Sequence, residues 1–320
     1  MGKLESGSIS ISRRKVKSME ITNKFGLPEF VVEALTFSDY SRGNAQISVT
    51  QLIDSPQVVQ LQKEHEDKQT KDAVDFVWSR FGTSVHNMFE AGIKASGIEA
   101  ISEERLFTEV NGWKLSGAID VQEVNDDGVI ISDFKVTSVW SVMNAKSSWD
   151  QQLNVYAWLV RKAKGQVVKK LQIVALLRDW SRRKAEQERN YPSAPVAVID
   201  ITLWSDREQD LYVESRLKKH MDAEFDATMS QALEPCSPEE VWAKPTVYAV
   251  MRKGRKSAVK LYPTELLAQD RLDGLDKTHY LETRTGENTR CAGDWCGVSA
   301  YCDQYQGGLQ NAANDNILSP

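Results

Sequence analysis

Asp120, Asp133 and Lys135 are the residues whose types and spacing best suit chemistry. Asp133 and Lys135 stand two apart, and on extended backbone such side chains leave the same face of a sheet. Between Asp120 and Asp133 lies Asn125-Asp126-Asp127-Gly128, a turn sequence, so a hairpin would fold the two carboxylates side by side. Adjacent carboxylates repel, and one takes up a proton unless a hard divalent cation sits between them. Two acids, a cation and an ammonium suit phosphodiester hydrolysis: the cation polarises the phosphate and activates water, and the lysine steadies the developing charge. An Asp-x-Lys triplet alone arises about once by chance in a chain of this length. Its setting adds weight, because Ile130 and Ile131 lead an apolar strand straight into Ser132-Asp133-Phe134-Lys135, and Gly117 leaves room for a backbone or ligand beside Asp120.

Other residues could join them. His86, in GTSVHNMFE, follows a core-facing Val85, and Glu90 one turn later could orient it or bind metal itself. Gln152 and Tyr156 are four apart on an expected helix, so an amide and a phenol share one face, suited to holding a strand of DNA. Asp150 has no comparable setting. Cys236, Cys291, Cys296 and Cys302 leave gaps of 54, 4 and 5 residues, a trio plus one distant thiol. That pattern favours a metal or cluster over disulfides, either zinc or [4Fe–4S]. Trp242, Trp295, Tyr301 and Tyr305 could pack round it or stack on bases, and packing is the expectation for aromatics near a buried site.

The elements that must position these residues are legible in part. Ser48 or Thr50 caps one short helix and Pro56 starts a second. Residues 70–95 carry Val74, Val77, Trp78, Phe81, Val85, Met88 and Phe89 at helical steps, predicting one long amphipathic helix, jogged at Gly82, whose apolar face meets the core. From Leu106 the period becomes two: LFTEV, WKLSGAIDVQEV and VIISDFKVTS read as a meander ending in a hairpin. A helix over 148–164, strands over 171–177 and near 196–203, and a helix over about 205–231 follow, then a basic hairpin over 246–262, a helix over 263–273 and a cysteine segment over 291–302. The fold class is therefore α/β or α+β, and α/β is the one taken. No internal repeat is found.

At 320 residues, with 41% hydrophobic and 27% charged residues, the chain can bury a core. No apolar run is long enough to span a membrane or resembles a secretory signal, so a soluble, intracellular protein is expected. Gly2 and Ser6 fit a loose N-myristoylation pattern, for which chance is the better reading. The net charge of −5 argues against coating nucleic acid by bulk charge. Local basic stretches at 161–170 and 252–260, each with five Lys or Arg, could line a DNA path, although such runs are more often solvated faces.

Read in order, GTSVHNMFE, LSGAIDVQ, VIISDFKVTS and QLNVY resemble the RecB/AddB-like branch of the PD-(D/E)xK nucleases, including CRISPR-adaptation and phage exonucleases. The motifs span residues 82–156, and the likeness extends loosely through 302. It implies a central mixed β-sheet flanked by helices, a restriction-endonuclease-like core, with a C-terminal cysteine-cluster region. It makes His86, Asp120, Asp133 and the backbone carbonyl of Phe134 ligands of Mg2+ or Mn2+, Lys135 the catalytic lysine, and Gln152 and Tyr156 the DNA-contacting pair. The cysteines then resemble that branch's iron–sulfur staple, with two departures: the first gap is four residues where that branch commonly has two, and Cys236 follows the core where its lone cysteine often precedes it. The implied organisation is a flexible arm at 1–45, a nuclease core at 46–235, a cysteine and basic-hairpin region at 236–306 packed on it, and a disordered tail at 307–320. The implied activity is an exonuclease on single strands or DNA ends in recombination, repair or phage DNA processing. It would be cytoplasmic, bacterial or phage-encoded, with a recombination or annealing protein as a possible partner. Two rival readings are a non-catalytic DNA-binding or partner module and a zinc-stapled structural protein.

Overall fold

In the computed structural model, residues 19–38, 43–144 and 146–308 are described. The Gly2/Ser6 pattern, a basic cluster at Arg13, Arg14 and Lys15, and the tail beyond 308 lie outside them. In chain order the described elements are β1 (Glu20–Thr22), α1 (Glu29–Thr36), β2 (Ile47–Ser48), α2 (Val49–Leu52), α3 (Pro56–Glu64), β3 (Thr70–Asp72), α4 (Val77–Ser96), β4 (Ala100–Val110), β5 (Trp113–Asn125), β6 (Gly128–Thr137), α5 (Val139–Met143), α6 (Ser147–Lys164), β7 (Val168–Leu177), α7 (Arg182–Gln187), β8 (Val196–Ile201) and α8 (Asp206–Thr228). The C-terminal part adds β9 (Ala243–Lys244), β10 (Val247–Arg252), β11 (Lys260–Tyr262), α9 (Glu265–Asp273), β12 (His279–Arg284), β13 (Glu287–Asn288) and α10 (Thr289–Ala292).

Local chemistry explains most boundaries. The Ser48 hydroxyl accepts from the Gln51 amide in a capping box, and Ser55 caps α3 with Pro56 at its first position. Ser205 and Glu208 form a second capping box at the start of α8. Asn111 and Gly112, both with positive φ (50° and 80°), make the two-residue turn joining β4 to β5.

The main sheet is mixed. Its order is β2-β5-β6-β7-β8, with β4 pairing the other edge of β5. β6 and β7 run parallel, joined by a crossover through α5 and α6, and the other long pairs are antiparallel. Helix α6 is buried on nearly all sides, with Leu153, Leu159 and Val160 fully enclosed, because the sheet lies on one side and α2 and α8 on the other. Gly117 permits this seat: a Cβ there would sit 2.7 Å from Leu159 Cδ1 and 2.8 Å from Val49 Cγ2. The room read at Gly117 is thus filled by helix side chains.

Two readings of the N-terminal third change. Residues 19–38 are not an unstructured arm, since β1 pairs in parallel with β3, and Asp72 accepts from the Thr22 hydroxyl (2.8 Å) and the Lys24 amide (2.7 Å). That partner is some fifty residues away, beyond the reach of local periodicity. Residues 70–95 are not one helix: β3 and a 3₁₀ turn at 73–76 precede α4, which runs unbroken through Gly82. The apolar face of α4 is not core either. Val85 is buried, whereas Val77, Trp78, Phe81 and Met88 are exposed, because the sheet meets the helix at its middle, where His86 and Phe89 pack on Phe134.

Candidate active site

The sheet forks where the acids stand. β5 and β6 pair only over Val121–Asn125 against Gly128–Ser132, and β5 meets β2 on the same edge at Leu115–Ser116. Between these two stretches the edge of β5 is open, while β6 continues along β7 to Thr137. Asp120 is the first residue past the ladder, and its Oδ2 accepts the Phe134 N–H at 2.7 Å, where a backbone carbonyl would stand had the pairing continued. The predicted hairpin thus brings Asp120 and Asp133 together, both buried, at 7% and 1% exposure.

Each side chain is held from a different element. From α6, the Gln152 amide donates to Asp133 Oδ1 (3.2 Å) and to the Tyr156 hydroxyl (2.9 Å), while its Oε1 accepts from Lys135 Nζ (3.1 Å). The Lys135 ammonium lies 2.6 Å from Asp133 Oδ2, close enough for an ion pair but not aligned as a hydrogen bond. Asp133 Oδ2 is therefore buried and engaged by the Lys135 ion pair. From α4, His86 Nδ1 faces Glu103 Oε1 at 3.1 Å and Asp120 Oδ1 at 3.6 Å. The Phe134 ring stacks on Phe89 (4.3 Å between centroids) and meets the His86 ring edge-on, which fixes the helix over the strand.

Glu103 was not singled out in the sequence. It lies opposite Asp120 in the β4–β5 register, between the pairs Ser102–Val121 and Glu104–Ile119, and its φ of 53° breaks the strand alternation and turns its carboxylate to His86. A left-handed non-glycine residue costs on the order of 1–3 kcal/mol and gathers at functional sites. The only sequence signal was an acid one strand back from Asp120 in a meander.

Other expectations meet a different arrangement. Glu90 pairs with Lys94 on the outside of α4, so the group orienting His86 comes from β4 instead. Gln152 and Tyr156, at 8% and 4% exposure, face the carboxylate and lysine from behind and have no surface on which to stack a base. Of the stretch 161–170, Arg161 and Lys162 pair with Asp210, Lys164 with Glu104 and Lys170 with Asp200, so most of its charge is spent within the protein. The stretch 252–260 is exposed on β10 and β11, and its Lys and Arg make no ion pair among the described residues.

Electrostatically the site calls for positive charge. Burial, reinforced by the neighbouring Asp133, pushes the Asp120 carboxyl up to about 7. The hydrogen bond to Glu103 raises His86 above the ordinary histidine range, and Asp120 and Asp133 add to this. His86, Glu103 and Asp120 each offer an atom within 4.8 Å of the others. Two carboxylates and an imidazole within reach of one point, with the buried carboxylate of Asp133 beside them, are the hard donor set of a divalent cation, so these residues fit one.

The four cysteines also converge. All are reduced and line one pocket with Val58, Leu61 and Tyr305, so the thiols pack against α3. Cys236 is held by Ser55 (3.1 Å) and Gln57 (3.0 Å), and burial pushes its thiol up to about 11. No three of the four sulfurs, among the described residues, lie within 4.8 Å of one another. Tyr301 and Tyr305 pack beside them as expected, but Trp242 and Trp295 are exposed.

A family model described as the PD-(D/E)XK nuclease superfamily matches residues 45–303. No curated protein matches the chain significantly. Among solved structures, SSO0001 is 19% identical with a TM-score of 0.42, over 67% of this chain and 91% of that one. An alkaline exonuclease from Laribacter hongkongensis is 12% identical with a TM-score of 0.31, over 48% and 74% respectively. A candidate exonuclease from Eubacterium rectale is 16% identical with a TM-score of 0.30, over 55% and 70%.

Proposed function

This chain belongs to the PD-(D/E)XK nuclease superfamily, and from that premise we propose that it hydrolyses DNA phosphodiester bonds at the fork between β5 and β6. The observation that carries the reading is the convergence of two buried carboxylates, Asp120 and Asp133, with the Lys135 ammonium 2.6 Å from Asp133 and with His86 and Glu103 beside Asp120. His86, Glu103, Asp120 and Asp133, with the Phe134 carbonyl, would hold Mg2+ or Mn2+. Such an ion supplies Lewis acidity toward the phosphate and lowers the pKa of water.

The chain's own residues do the rest. Gln152 holds Asp133 and Lys135 at a fixed separation, and Tyr156 behind it keeps the amide from turning. Lys135 presents its ammonium to the phosphate, where it steadies negative charge as the bond to the leaving oxygen breaks. Glu103 fixes the ring of His86, and Phe134 N–H fixes the carboxylate of Asp120. Exonucleolytic action on single strands or free ends, in recombination, repair or phage DNA processing, is the form this reading takes. The exposed cations of 252–260 supply part of the DNA path.

In the same reading the four thiols hold a structural centre. A tetrahedral zinc with bonds of about 2.3 Å draws sulfurs to about 3.8 Å of one another. The three-plus-one spacing of the cysteines, a trio at 291–302 and a distant Cys236, favours a [4Fe–4S] cluster over zinc. Its colour and absorbance near 400 nm, roughly where such clusters absorb, would decide the matter; a colourless protein with stoichiometric zinc would reverse the choice.

The test of function is cleavage of end-labelled single- and double-stranded DNA, linear and circular, with Mg2+, Mn2+ or EDTA. Cleavage that needs the metal and disappears in Asp133→Asn, with the fold retained by circular dichroism, is the expected result. Undiminished cleavage by that variant, or binding without any cleavage by the unaltered protein, would overturn it.

A further inference from the structure

The exposed N-terminal end of α4 lies beside cations at the same end of the sheet. Trp78 shares a helix face with Val85 and Phe89, which sit on the sheet, yet its indole is 58% exposed. It stands eight residues, about 12 Å, along the helix from His86. Under it lies Arg178, whose guanidinium is 4.8 Å from the ring centre. Arg178 is the first residue past β7, and its N–H donates to the Thr137 carbonyl at the end of β6 (3.0 Å). The pair therefore stands at the carboxyl end of the two parallel strands, the end at which open α/β sheets bind ligands.

Lys146, at the start of α6, completes the group. Its ammonium lies 5.9 Å from the centre of the Trp149 ring, and partial shielding from water, with the like charges of Arg178 and Lys135, holds it below the ordinary lysine range. Neither Arg178 nor Lys146 pairs with a carboxylate among the described residues. Unpaired cations around a site whose own acids are buried are complementary to a phosphate chain, and an indole backed by a guanidinium offers a π-face to a base.

We propose that Trp78 and Arg178 form a stacking platform for an unpaired base, with Arg178 and Lys146 on its phosphates, so that the strand entering the fork is single-stranded. Within a duplex the base faces are covered by their neighbours and cannot reach the indole. This rests on the nuclease reading above and assigns to Trp78 and Arg178 the recognition of the single strand named there. The stacking is tolerant of base identity, because every base has such a face.

The experiment measures fluorescence anisotropy of the full chain with a labelled twelve-mer of thymidylate, the same oligonucleotide without bases, and a blunt duplex. Calcium is the only divalent ion, and intact probe is verified on a gel. Trp78→Ala should weaken binding of the thymidylate probe about tenfold, the scale of one lost base stack, and leave the baseless probe unchanged. Trp78→Tyr should restore binding, which excludes misfolding as the cause, and Arg178→Gln should weaken both probes. Equal binding of thymidylate by Trp78→Ala and the unaltered protein, the result expected if this face covers a protein partner, overturns the platform. So does an equal loss on both probes. A protein that cleaves DNA yet shows either result loses the platform alone, whereas one that neither binds nor cleaves DNA loses the nuclease reading as well.

Discussion

Asp133 has one carboxylate oxygen engaged by Gln152 and the other by the Lys135 ion pair, while Asp120 is engaged by a backbone amide on one oxygen and faces His86 with the other. Each acid thus turns one oxygen toward a charged or titratable neighbour. Glu103 sets the other side of this opening and turns His86, so Glu103→Gln should raise the Mg2+ or Mn2+ concentration needed for half-maximal cleavage by roughly 10- to 100-fold, the usual cost of losing an orienting partner or ligand. A metal titration of activity measures this, and an unchanged titration would remove Glu103 from the site. Lys135→Gln should act on turnover instead, lowering kcat by about 100-fold or more with little change in the metal requirement, as expected for loss of a group that meets developing charge. Asp120, Asp133 and Lys135 were legible in the sequence because a turn and a two-residue step set their positions. Glu103 was not, since its place depends on a left-handed kink that nothing in its own neighbourhood announces.

Elements hold these residues by close seating of helix on sheet. Gly117 on β5 admits Leu159 and Tyr156 of α6 and Val49 of α2 within 3 Å of where a Cβ would stand. Gly117→Ala should therefore force α6 away and cost about 1–3 kcal/mol, as overpacking does. A lowered Tm together with a fall in kcat would register the shift, because α6 carries Gln152. A variant as stable as the parent would show that α6 relaxes freely. Helix α8 docks on α2 through His220, buried at its middle, whose Nε2 faces the Leu52 carbonyl at 3.1 Å. Burial lowers this histidine to about 4. The unfolded chain, near 6.5, then binds a proton that the folded chain refuses between pH 6.5 and 4, so stability falls as pH drops through that window, by about 3 kcal/mol in all. Thermal melts at pH 7.5, 6 and 5 should show the fall, and His220→Gln should flatten part of it; identical profiles would exclude His220 as the source.

Across the whole molecule the C-terminal part is tied back to the N-terminal helices. Arg290 donates to both oxygens of Asp54 (2.8 and 3.0 Å), Cys236 meets Ser55 and Gln57, and Cys296, Val298 and Cys302 pack on Val58 and Leu61. A centre held by the four thiols would lock together segments more than sixty residues apart. Oxidative or chelating removal of that centre should lower Tm and make residues 236–306 the first to yield to a protease, while the acidic site keeps its residues in place. Mass spectrometry of the early fragments and the Tm report this, and an unaltered Tm after complete removal would show that the tie is made by side-chain packing and the Arg290–Asp54 pair alone. The described residues include no helix long and apolar enough to cross a membrane.

From the sequence alone came the hairpin that joins Asp120 to Asp133, the face shared by Asp133 and Lys135, the capped start of α2, Pro56 at the start of α3, and the mixed α/β class. All of these rest on interactions within a few residues: a turn, a cap, an alternation. Only the tertiary structure decided that β1 pairs with β3, that half the apolar face of α4 is left in solvent, that the cations of 161–170 are answered by acids, and that Glu103 reaches His86. Those outcomes depend on which surfaces meet across tens of residues, and a pattern of spacing holds no record of the partner. Periodicity showed that α4 has an apolar face; where the sheet ends decided which part of it is covered.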